Sequence, residues 1–336
     1  MAARDPLPQI PLPQSSLYTA LRRQLEHRRE ILSGAADMAS AAKIMQLLHD
    51  VDAALERMES GRYGVCELCH EEVEEDRLMA DPLVRVCLCE LNASERGALE
   101  KDLELASRIQ QRLLPRREFA CDGWQVAYHY KPVSVVSGDY CDLMVGPDEQ
   151  LYFMLGDVAG KGVAASILMS NLSAIFRASI PQGLPIAELV EHVNRIFTAS
   201  TLLEQYATLV CGRASSDGTL EVCNAGHVPG LVISGSEVRT VPSSGFPVGL
   251  FADQKVSTCT FQFAPGSSLV LFSDGVSEAR NGDDDYGYER IACAVLASSG
   301  LHPCEVVANC VRDLERFVGS EPVFDDQTLM VLQKIH

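Results

Sequence analysis

The chain has 336 residues, of which 47% are hydrophobic, 22% charged and 6% aromatic, values ordinary for a globular protein. Its 28 lysines and arginines against 46 aspartates and glutamates leave a net charge of −18, which argues against direct nucleic-acid binding and against anionic membrane surfaces. No run reaches the roughly 18 apolar residues of a membrane span, and the N-terminus lacks the apolar core of a secretion signal. We therefore expect a cytoplasmic protein whose twelve cysteines are reduced.

A disordered lead-in and a helical hairpin are the first predicted elements. Residues 1–16 are rich in proline and polar side chains, which predicts no packed structure. A first helix begins at Leu17 and carries Leu21 and Leu25 on one face. A second apolar stripe, spaced at intervals of four and three residues, consists of Ile44, Leu48, Val51, Leu55 and Met58. The sequence "SGAAD" at 33–37 separates the two, so we expect a hairpin within an N-terminal module of residues 17–92.

Four cysteines follow the hairpin in two pairs. Cys66 and Cys69 form a C-x-x-C motif, and Cys87 and Cys89 follow after seventeen intervening residues. Two pairs at this separation favour tetrahedral coordination of one structural Zn²⁺. A redox-active C-x-x-C is the alternative, but no βαβ pattern surrounds it.

The stretch "ALERMESGRYGVCELC" and the cysteines after it resemble the DksA/TraR class of zinc-finger proteins, which act on RNA polymerase, over about residues 38–91. The second pair is C-x-C where that class usually has C-x-x-C, so His70 is an alternative fourth ligand. The hairpin is also short, with Asp37 the only acid at its turn. We therefore expect a regulatory or dimerising module, with contact to RNA polymerase as the lesser alternative.

A connecting helix is predicted over residues 93–117, capped by Ser94 and ended by Pro115. Its apolar stripe consists of Leu99, Leu103, Ala106, Ile109 and Leu113. One apolar stripe on a charged helix needs a partner. That partner is either the core of the next domain or the same helix of a second copy in a homodimer, and both interpretations stay open.

Residues 118–336 alternate between strand-like and helix-like stretches. The predicted strands are "WQVAYHYKP", "LYFMLGD", "ATLVCGRA", "TLEVCNAG", "STCTFQF", "SLVLFSD" and "QTLMVLQ". The predicted helices are "GVAASILMSNLSAIFRASI", "PIAELVEHVNRIFTAS", "YERIACAVLA" and "PCEVVANCVRDLERFV". Successive strands joined by short turns predict an α+β domain of antiparallel sheets with the helices outside.

Aspartates recur at the ends of these strands. They are Asp139 and Asp142 in "SGDYCD", Asp157 in "LGDVAGKG", Asp274 in "LFSDGVSEAR", and Asp325 and Asp326 in "FDDQTLMV". Short acidic side chains from separated strands are the oxygen ligands that hard divalent cations require. The glycine-rich "GDVAGKG" does not fit a nucleotide loop, because Leu155 stands at the first required glycine and Gly162 where a hydroxyl residue is needed. The pattern therefore predicts a divalent-cation site.

The same stretches resemble, in order and spacing, the metal-dependent PPM-type serine/threonine phosphatases, specifically the bacterial SpoIIE/RsbU branch. The matching motifs are "GDYCD", "GDVAGKGVAAS", "YATLVCG", "NAGHVPG", "SSGFPVGL", "SDGVSEARN", "YGYER" and "DDQTLMVL", with "LELASRIQQRLLP" in the linker. The resemblance covers about residues 99–335. It implies an αββα sandwich with two Mn²⁺ or Mg²⁺ ions between the sheets.

The resemblance also implies roles for individual residues. Asp157 would bridge both metals and the Val158 carbonyl would bind one of them. Asp274 and Asp325 would complete the second metal's ligands, with Asp326 as the substitute for Asp325.

Two further acids, Asp139 and Asp142, would hold metal-bound water, directly or through a hydrogen bond. Asp139, Asp157, Asp274 and Asp325 form the expected catalytic set. His227 is expected to be a structural turn residue and not an acid catalyst, and the role of Lys161 stays open.

The expected function is hydrolysis of phosphoserine or phosphothreonine on a regulatory protein by water that two metals activate. The resemblance implies a phosphorylated STAS-type anti-anti-sigma factor as substrate, in a partner-switching pathway. The alternative is a non-catalytic zinc-finger adapter of the transcription machinery. A metal-dependent nuclease is disfavoured by the net charge of −18.

Overall fold

The computed structural model describes residues 16–34, 41–88, 93–202 and 205–335. The chain divides into two compact units, Met1–Leu99 and Glu100–His336. The division falls inside the connecting helix, which spans Ala93–Leu113. The predicted lead-in (apart from Ser16), the turn that carries Asp37, and Cys89 lie outside the described residues.

The N-terminal unit contains the predicted hairpin. Its helices are α1 (Ser16–Gly34), α2 (Ala41–Glu59) and the short α3 (Glu75–Ala80). The seam buries Leu21, Leu25 and Leu32 of α1 and, from α2, Ile44, Leu47, Val51, Ala54 and Met58. The prediction was wrong at Leu48 and Leu55, which are only half-buried. Spacings of three-four and four-three both follow a helical period of 3.6, so the pattern alone did not decide between neighbouring residues.

The C-terminal unit is built on two antiparallel sheets. One contains β1 (Glu118–Cys121), β2 (Trp124–Lys131), β7 (Gly230–Ser234), β8 (Glu237–Val241), β10 (Ser268–Phe272) and β13 (Gln327–Lys334). The other contains β3 (Asp139–Val145), β4 (Leu151–Val158), β5 (Ala207–Ala214), β6 (Thr219–Ala225) and β9 (Cys259–Gln262). Their orders are β1-β2-β13-β10-β7-β8 and β3-β4-β5-β6-β9, and β11 (Arg280–Asn281) and β12 (Asp284–Asp285) form a small separate ribbon.

Helices cover the outer face of each sheet. The connecting helix is α4, and the remaining helices are α5 (Gly162–Ser179), α6 (Ile186–Ser200), α7 (Asp274–Ser277), α8 (Gly287–Ala297) and α9 (Pro303–Val318). Helices α5 and α6 pack on the five-stranded sheet, and α8 and α9 pack on the six-stranded sheet. The predicted αββα sandwich, preceded by a helical hairpin with a zinc-finger segment, is confirmed.

Each central strand contributes side chains to two hydrophobic cores, one on each face of its sheet. In β4, Tyr152 and Met154 point into the core beneath α5 and α6, whereas Leu151, Phe153 and Leu155 point into the core between the sheets. Alternate side chains of a strand face opposite sides, so a strand covered on both sides is apolar throughout. This is why "LYFML" shows no alternation of apolar and polar residues.

One stretch of the described chain, Gly162–Gln182, has the length and hydropathy of a membrane span, with a mean hydropathy of 1.4. It comprises α5 and the 3-10 turn Ile180–Gln182 that follows. More than half of its most apolar window (56%) is buried inside the protein, and α5 packs on β3 and β4. Its apolar character therefore corresponds to a core helix.

Helix α4 buries a polar residue that the predicted stripe did not include. Gln110 is 5% exposed, whereas its neighbour Ile109 is 55% exposed. The Gln110 amide donates from Nε2 to the Ser137 carbonyl oxygen at 2.7 Å, and its Oε1 accepts from the Ser137 amide at 3.0 Å. This paired contact satisfies both groups of the amide and fixes α4 to the loop before β3.

Candidate active site

Aspartates from both sheets are placed at the strand ends. Asp139 begins β3 and lies directly opposite Asp157 of β4 in the antiparallel register. Asp274 follows β10 and begins α7, and Asp325 precedes β13, the strand that pairs with β10. Each sheet therefore contributes two of the four predicted catalytic acids.

The pKa values of these acids are raised by burial and by the acids' mutual repulsion. Burial raises the pKa of Asp157 well above its ordinary value, and the negative charges of Asp274 and Asp139 raise it further. Burial also raises the pKa of Asp139, with the charges of Asp326 and Asp274 adding to the effect. Buried like charges destabilise one another unless positive charge is supplied. Asp139, Asp157, Asp274, Asp325 and Asp326 thus lie near enough to repel one another, although among the described residues only three cysteines have ligand atoms all within 4.8 Å of one another.

Asp139 is held by a threonine that the sequence analysis did not single out. Its carboxylate is 1% exposed and accepts a hydrogen bond from the hydroxyl of Thr328, across the gap between the sheets. Thr328 lies on β13, three residues after Asp325. The hydrogen bond favours the ionised form of Asp139 and fixes its orientation.

Asp326 has a different environment from its neighbour Asp325. Its two carboxylate oxygens accept from the Ser137 hydroxyl at 2.6 Å and from the amides of Val133 and Gly138 at 2.7 and 3.1 Å. Asp326 therefore holds the loop that leads into Asp139. Because its carboxylate already accepts three hydrogen bonds, Asp326 is poorly suited to replace Asp325 as a metal ligand.

Asp325 lies beside the lysine of "GDVAGKG". The Lys161 ammonium contacts Asp325 Oδ1 at 2.8 Å and donates to the Phe324 carbonyl oxygen at 2.6 Å. Burial acts to lower the pKa of Lys161, but the charge of Asp325 and the hydrogen bond to it outweigh that effect and raise it. Lys161 is therefore a cation of the site itself, where its role had been left open.

Two glycines allow the strand ends to approach. A Cβ atom at Gly275 would lie 2.1 Å from the Asp326 carbonyl oxygen, so only glycine lets Asp274 lie so near Asp325 and Asp326. A Cβ atom at Gly138 would lie 3.1 Å from the carbonyl oxygen of Val158, the predicted backbone ligand. Close packing thus requires glycine at position 275, and at position 138 a larger residue would be tightly packed.

Asp142 does not join the other acids. It lies three residues after Asp139 and therefore on the opposite face of β3, toward α5, and its side chain is 0% exposed. Arg177 of α5 binds it through two hydrogen bonds of 2.8 Å, from Nε to Oδ2 and from Nη2 to Oδ1. The predicted role of Asp142 in holding metal-bound water is therefore corrected: because the strand alternates, it forms a buried ion pair in the outer core.

His227 is a buried residue of the turn after β6, as expected. Its amide donates to Asn224 Oδ1 at 2.8 Å, and its ring lies between Thr208 and the Phe272 carbonyl oxygen. Burial lowers its pKa to about 4, so the ring is neutral at physiological pH. A neutral ring without contact to the acids does not act as an acid catalyst.

Three of the four predicted zinc ligands converge in the N-terminal unit. The sulfur atoms of Cys66, Cys69 and Cys87 lie within 4.8 Å of one another. Backbone amides, that of Cys69 first, lower the pKa of the Cys66 thiol to about 6 and so favour the thiolate. His70, the alternative ligand, is not part of this group among the described residues, and Cys89 lies outside them.

The chemistry of the two donor sets fits two kinds of metal. The carboxylates of the C-terminal unit offer only oxygen, which suits Mg²⁺ or Mn²⁺ and not a soft metal. The thiols of the N-terminal unit suit Zn²⁺. Both sets therefore agree with the metals expected from the sequence.

Comparison with known proteins matches both parts of the chain to known families. Residues 147–334, more than half of the chain, match the SpoIIE family, described as Stage II sporulation protein E, and residues 61–96 match the prokaryotic DksA/TraR C4-type zinc finger. Protein IcfG of Synechocystis sp. is 24% identical over 71% of this chain and 42% of its own length. Phosphoserine phosphatase RsbU of Bacillus subtilis is 25% identical over 70% of this chain and 71% of its own length.

The fold is also found among solved structures. The SiaA-PP2C domain of Pseudomonas aeruginosa superposes with a TM-score of 0.62 at 20% identity, covering 72% of this chain and 99% of that domain. The chain spans less than half the length of IcfG, so the likeness to that protein is confined to a part of it. The family match shows that the chain belongs to the SpoIIE family, with the fold of the SiaA-PP2C domain and a segment that matches the DksA/TraR C4-type zinc finger.

Proposed function

We propose that this chain hydrolyses phosphoserine or phosphothreonine on a regulatory protein, using two Mn²⁺ or Mg²⁺ ions. The observation that carries the proposal is that acids from the strand ends of both sheets lie near enough to raise one another's pKa values. Such a group of acids is strongly destabilising without divalent cations. Oxygen ligands from opposite sheets suit a pair of such cations.

In this proposal four acids hold the metals. Asp139, Asp157 and the Val158 carbonyl would hold the metals from one sheet, and Asp274 and Asp325 would hold them from the other. When bound, the two cations supply the charge that activates water and stabilises the phosphoryl group.

The other residues of the site keep these acids in place. Thr328 donates to Asp139 and favours its ionised form. Lys161, at 2.8 Å, and the Asp326 backbone amide, at 2.9 Å, both donate to Oδ1 of Asp325. No nucleophilic side chain is needed, since water attacks phosphorus directly.

The proposed substrate is a phosphorylated STAS-type anti-anti-sigma factor. This rests on the family resemblance and on RsbU, whose name describes a phosphoserine phosphatase. The acidic chain, with a net charge of −18, would recognise such a partner through shape and hydrogen bonds more than through attraction of its phosphate. We place the reaction in the cytoplasm.

The test compares two aspartates of the same strand. Hydrolysis of p-nitrophenyl phosphate and of a phosphorylated STAS protein is measured with Mn²⁺ and with EDTA, for the wild type, Asp139→Asn and Asp142→Asn. We expect manganese-dependent turnover that Asp139→Asn abolishes and Asp142→Asn keeps, since only Asp139 faces the other acids. Turnover that is insensitive to EDTA, or equally lost in both variants with folding intact, would refute the proposed site.

We further propose that α4 transmits a regulatory input from the zinc-finger unit to the active site and pairs with a second copy. Gln110 of α4 contacts Ser137, whose hydroxyl binds Asp326 and accepts from the Asp139 amide at 3.0 Å. The exposed Leu105 and Ile109, four residues apart, are available for a homodimer contact. Cleavage in the linker followed by rate and Mn²⁺ affinity measurements tests this, and unchanged values would contradict it. Leu105→Gln with sedimentation velocity tests the dimer.

A further inference from the structure

The ring of His227 connects the two sheets next to the acidic cluster. Its Nδ1 lies 2.7 Å from Thr208 Oγ1 on β5, in the five-stranded sheet, and its Nε2 lies 3.1 Å from the Phe272 carbonyl oxygen on β10, in the six-stranded sheet. The residue is 5% exposed. A buried imidazole satisfied on both nitrogens is held rigidly.

The partners fix which nitrogen carries the proton. A carbonyl oxygen only accepts, so Nε2 must carry the hydrogen that it donates to Phe272. Nδ1 is then an acceptor and receives the hydroxyl hydrogen of Thr208. Burial lowers the pKa of His227 to about 4, in agreement with this neutral form.

Both ends of this connection lie next to predicted metal ligands. Thr208 is directly opposite Asp157 in the register of β4 and β5, and Phe272 is two residues before Asp274. Asp157 and Asp274 belong to different sheets, and their charges repel across the cleft. A neutral bridge between their strands opposes that repulsion without adding charge.

The turn that carries His227 is itself fixed. The His227 backbone amide donates to Asn224 Oδ1. The side-chain amide of Asn224, which is buried, donates from Nδ2 to the Val241 carbonyl oxygen at 3.3 Å. Gly226 pairs with Leu209, the residue after Thr208. The imidazole is therefore presented by a rigid support and not by a mobile loop.

We propose that His227 is a positioning residue that sets the spacing between Asp157 and Asp274 by bridging Thr208 and Phe272. This inference rests on the proposed function for its metal ligands, but it concerns geometry and not the substrate. It predicts that losing either half of the bridge weakens divalent-cation binding by about tenfold, the lower end of the range for groups that orient metal ligands.

The experiment uses the full chain and compares His227→Ala, Thr208→Val and Thr208→Ser. Mn²⁺ affinity and stoichiometry are measured by electron paramagnetic resonance, which needs no turnover, and kcat and KM are measured beside them. Tyr128→Phe is the matched control, because it removes a hydrogen bond of 2.7 Å to the Pro115 carbonyl oxygen away from the acids. Folding is followed by the fluorescence of Trp124.

We expect His227→Ala and Thr208→Val each to weaken Mn²⁺ binding about tenfold, and a chain that carries both changes to bind no more weakly than His227→Ala. Thr208→Ser and Tyr128→Phe should bind Mn²⁺ as the wild type does. Wild-type Mn²⁺ affinity in folded Thr208→Val would overturn the proposal, even if His227→Ala did not fold. Weakened Mn²⁺ binding in a chain without phosphatase activity would support the positioning role and refute the proposed function.

Discussion

Replacing Arg177 with methionine should destabilise the C-terminal unit by removing the partner of a buried carboxylate. Asp142 is 0% exposed and keeps only the Leu143 amide at 2.9 Å and the Tyr140 hydroxyl at 3.4 Å. Breaking a buried ion pair costs about 3–5 kcal/mol, but Arg177 is 45% exposed and partly screened by water. We therefore expect a loss of about 2–3 kcal/mol at neutral pH.

The loss should depend on pH in a defined direction. Burial raises the pKa of Asp142 above its ordinary value of 3.8, and Arg177 opposes that rise. Without Arg177 the pKa of Asp142 in the folded state rises further. A raised pKa in the folded state contributes stability that is present at low pH and lost as the pH rises through it. The deficit of Arg177→Met should therefore shrink as the pH is lowered from about 8 to about 5.

The chain offers a selective probe for this measurement. Trp124 is its one tryptophan; it is fully buried in the C-terminal unit and donates to the Ser215 carbonyl oxygen at 2.8 Å. Its fluorescence during urea unfolding reports on that unit without a signal from the N-terminal one. The control Arg177→Lys keeps the charge but not the two parallel hydrogen bonds, so an intermediate loss is expected.

A second variant separates the ion pair from the metal site. Adding Asp142→Asn to Arg177→Met should recover part of the lost stability, because no unpaired charge then remains buried. Asp142→Asn alone should bind Mn²⁺ as the wild type does. Equal stability of Arg177→Met and wild type, or weakened Mn²⁺ binding in Asp142→Asn, would refute the assignment of Asp142 to the outer core.

Three further predictions concern the two metal sites. Thr328→Val removes the donor to Asp139 and should cost about 1–2 kcal/mol in urea unfolding and weaken Mn²⁺ binding by calorimetry, whereas unchanged binding would contradict its orienting role. Lys161→Met leaves Asp325 without its cation, so the loss should be about 2 kcal/mol in EDTA and smaller in saturating Mn²⁺; equal losses would count against it. Cys69→Ser should abolish stoichiometric zinc by elemental analysis while Mn²⁺ binding persists, and full zinc occupancy would exclude this thiol as a ligand.

Local patterns in the sequence predicted the family, the elements of the C-terminal domain and the candidate metal ligands. The paired cysteines indicated zinc, and the seven predicted strands and four predicted helices of the C-terminal domain are all present. Strand β3 was not predicted, because Asp139 and Asp142 interrupt its apolar run, and the short β7 and β8 were also missed. Aspartates beside glycines at strand ends marked the site because a strand end is fixed by residues nearby in the chain.

The choice between neighbouring residues was made by tertiary contacts. Asp139 and Asp142 look alike in "SGDYCD", but β3 is covered on both faces, so no alternation of apolar and polar residues reveals which face is the cleft. Arg177, 35 residues away on α5, decides the environment of Asp142. Likewise, the loop before β3 binds Asp326 and leaves Asp325 to Lys161.

The sequence by itself therefore determined the family, the two modules and the kinds of ligand, since these depend on residue type and local order. The tertiary structure alone decided that Gln110, and not Ile109, turns inward from α4, and that His227 joins the two sheets. Both depend on partners far away in the chain, Ser137 for the first and Phe272 for the second. A buried polar side chain takes its orientation from the hydrogen-bond partners that packing brings to it, and no local pattern encodes those partners.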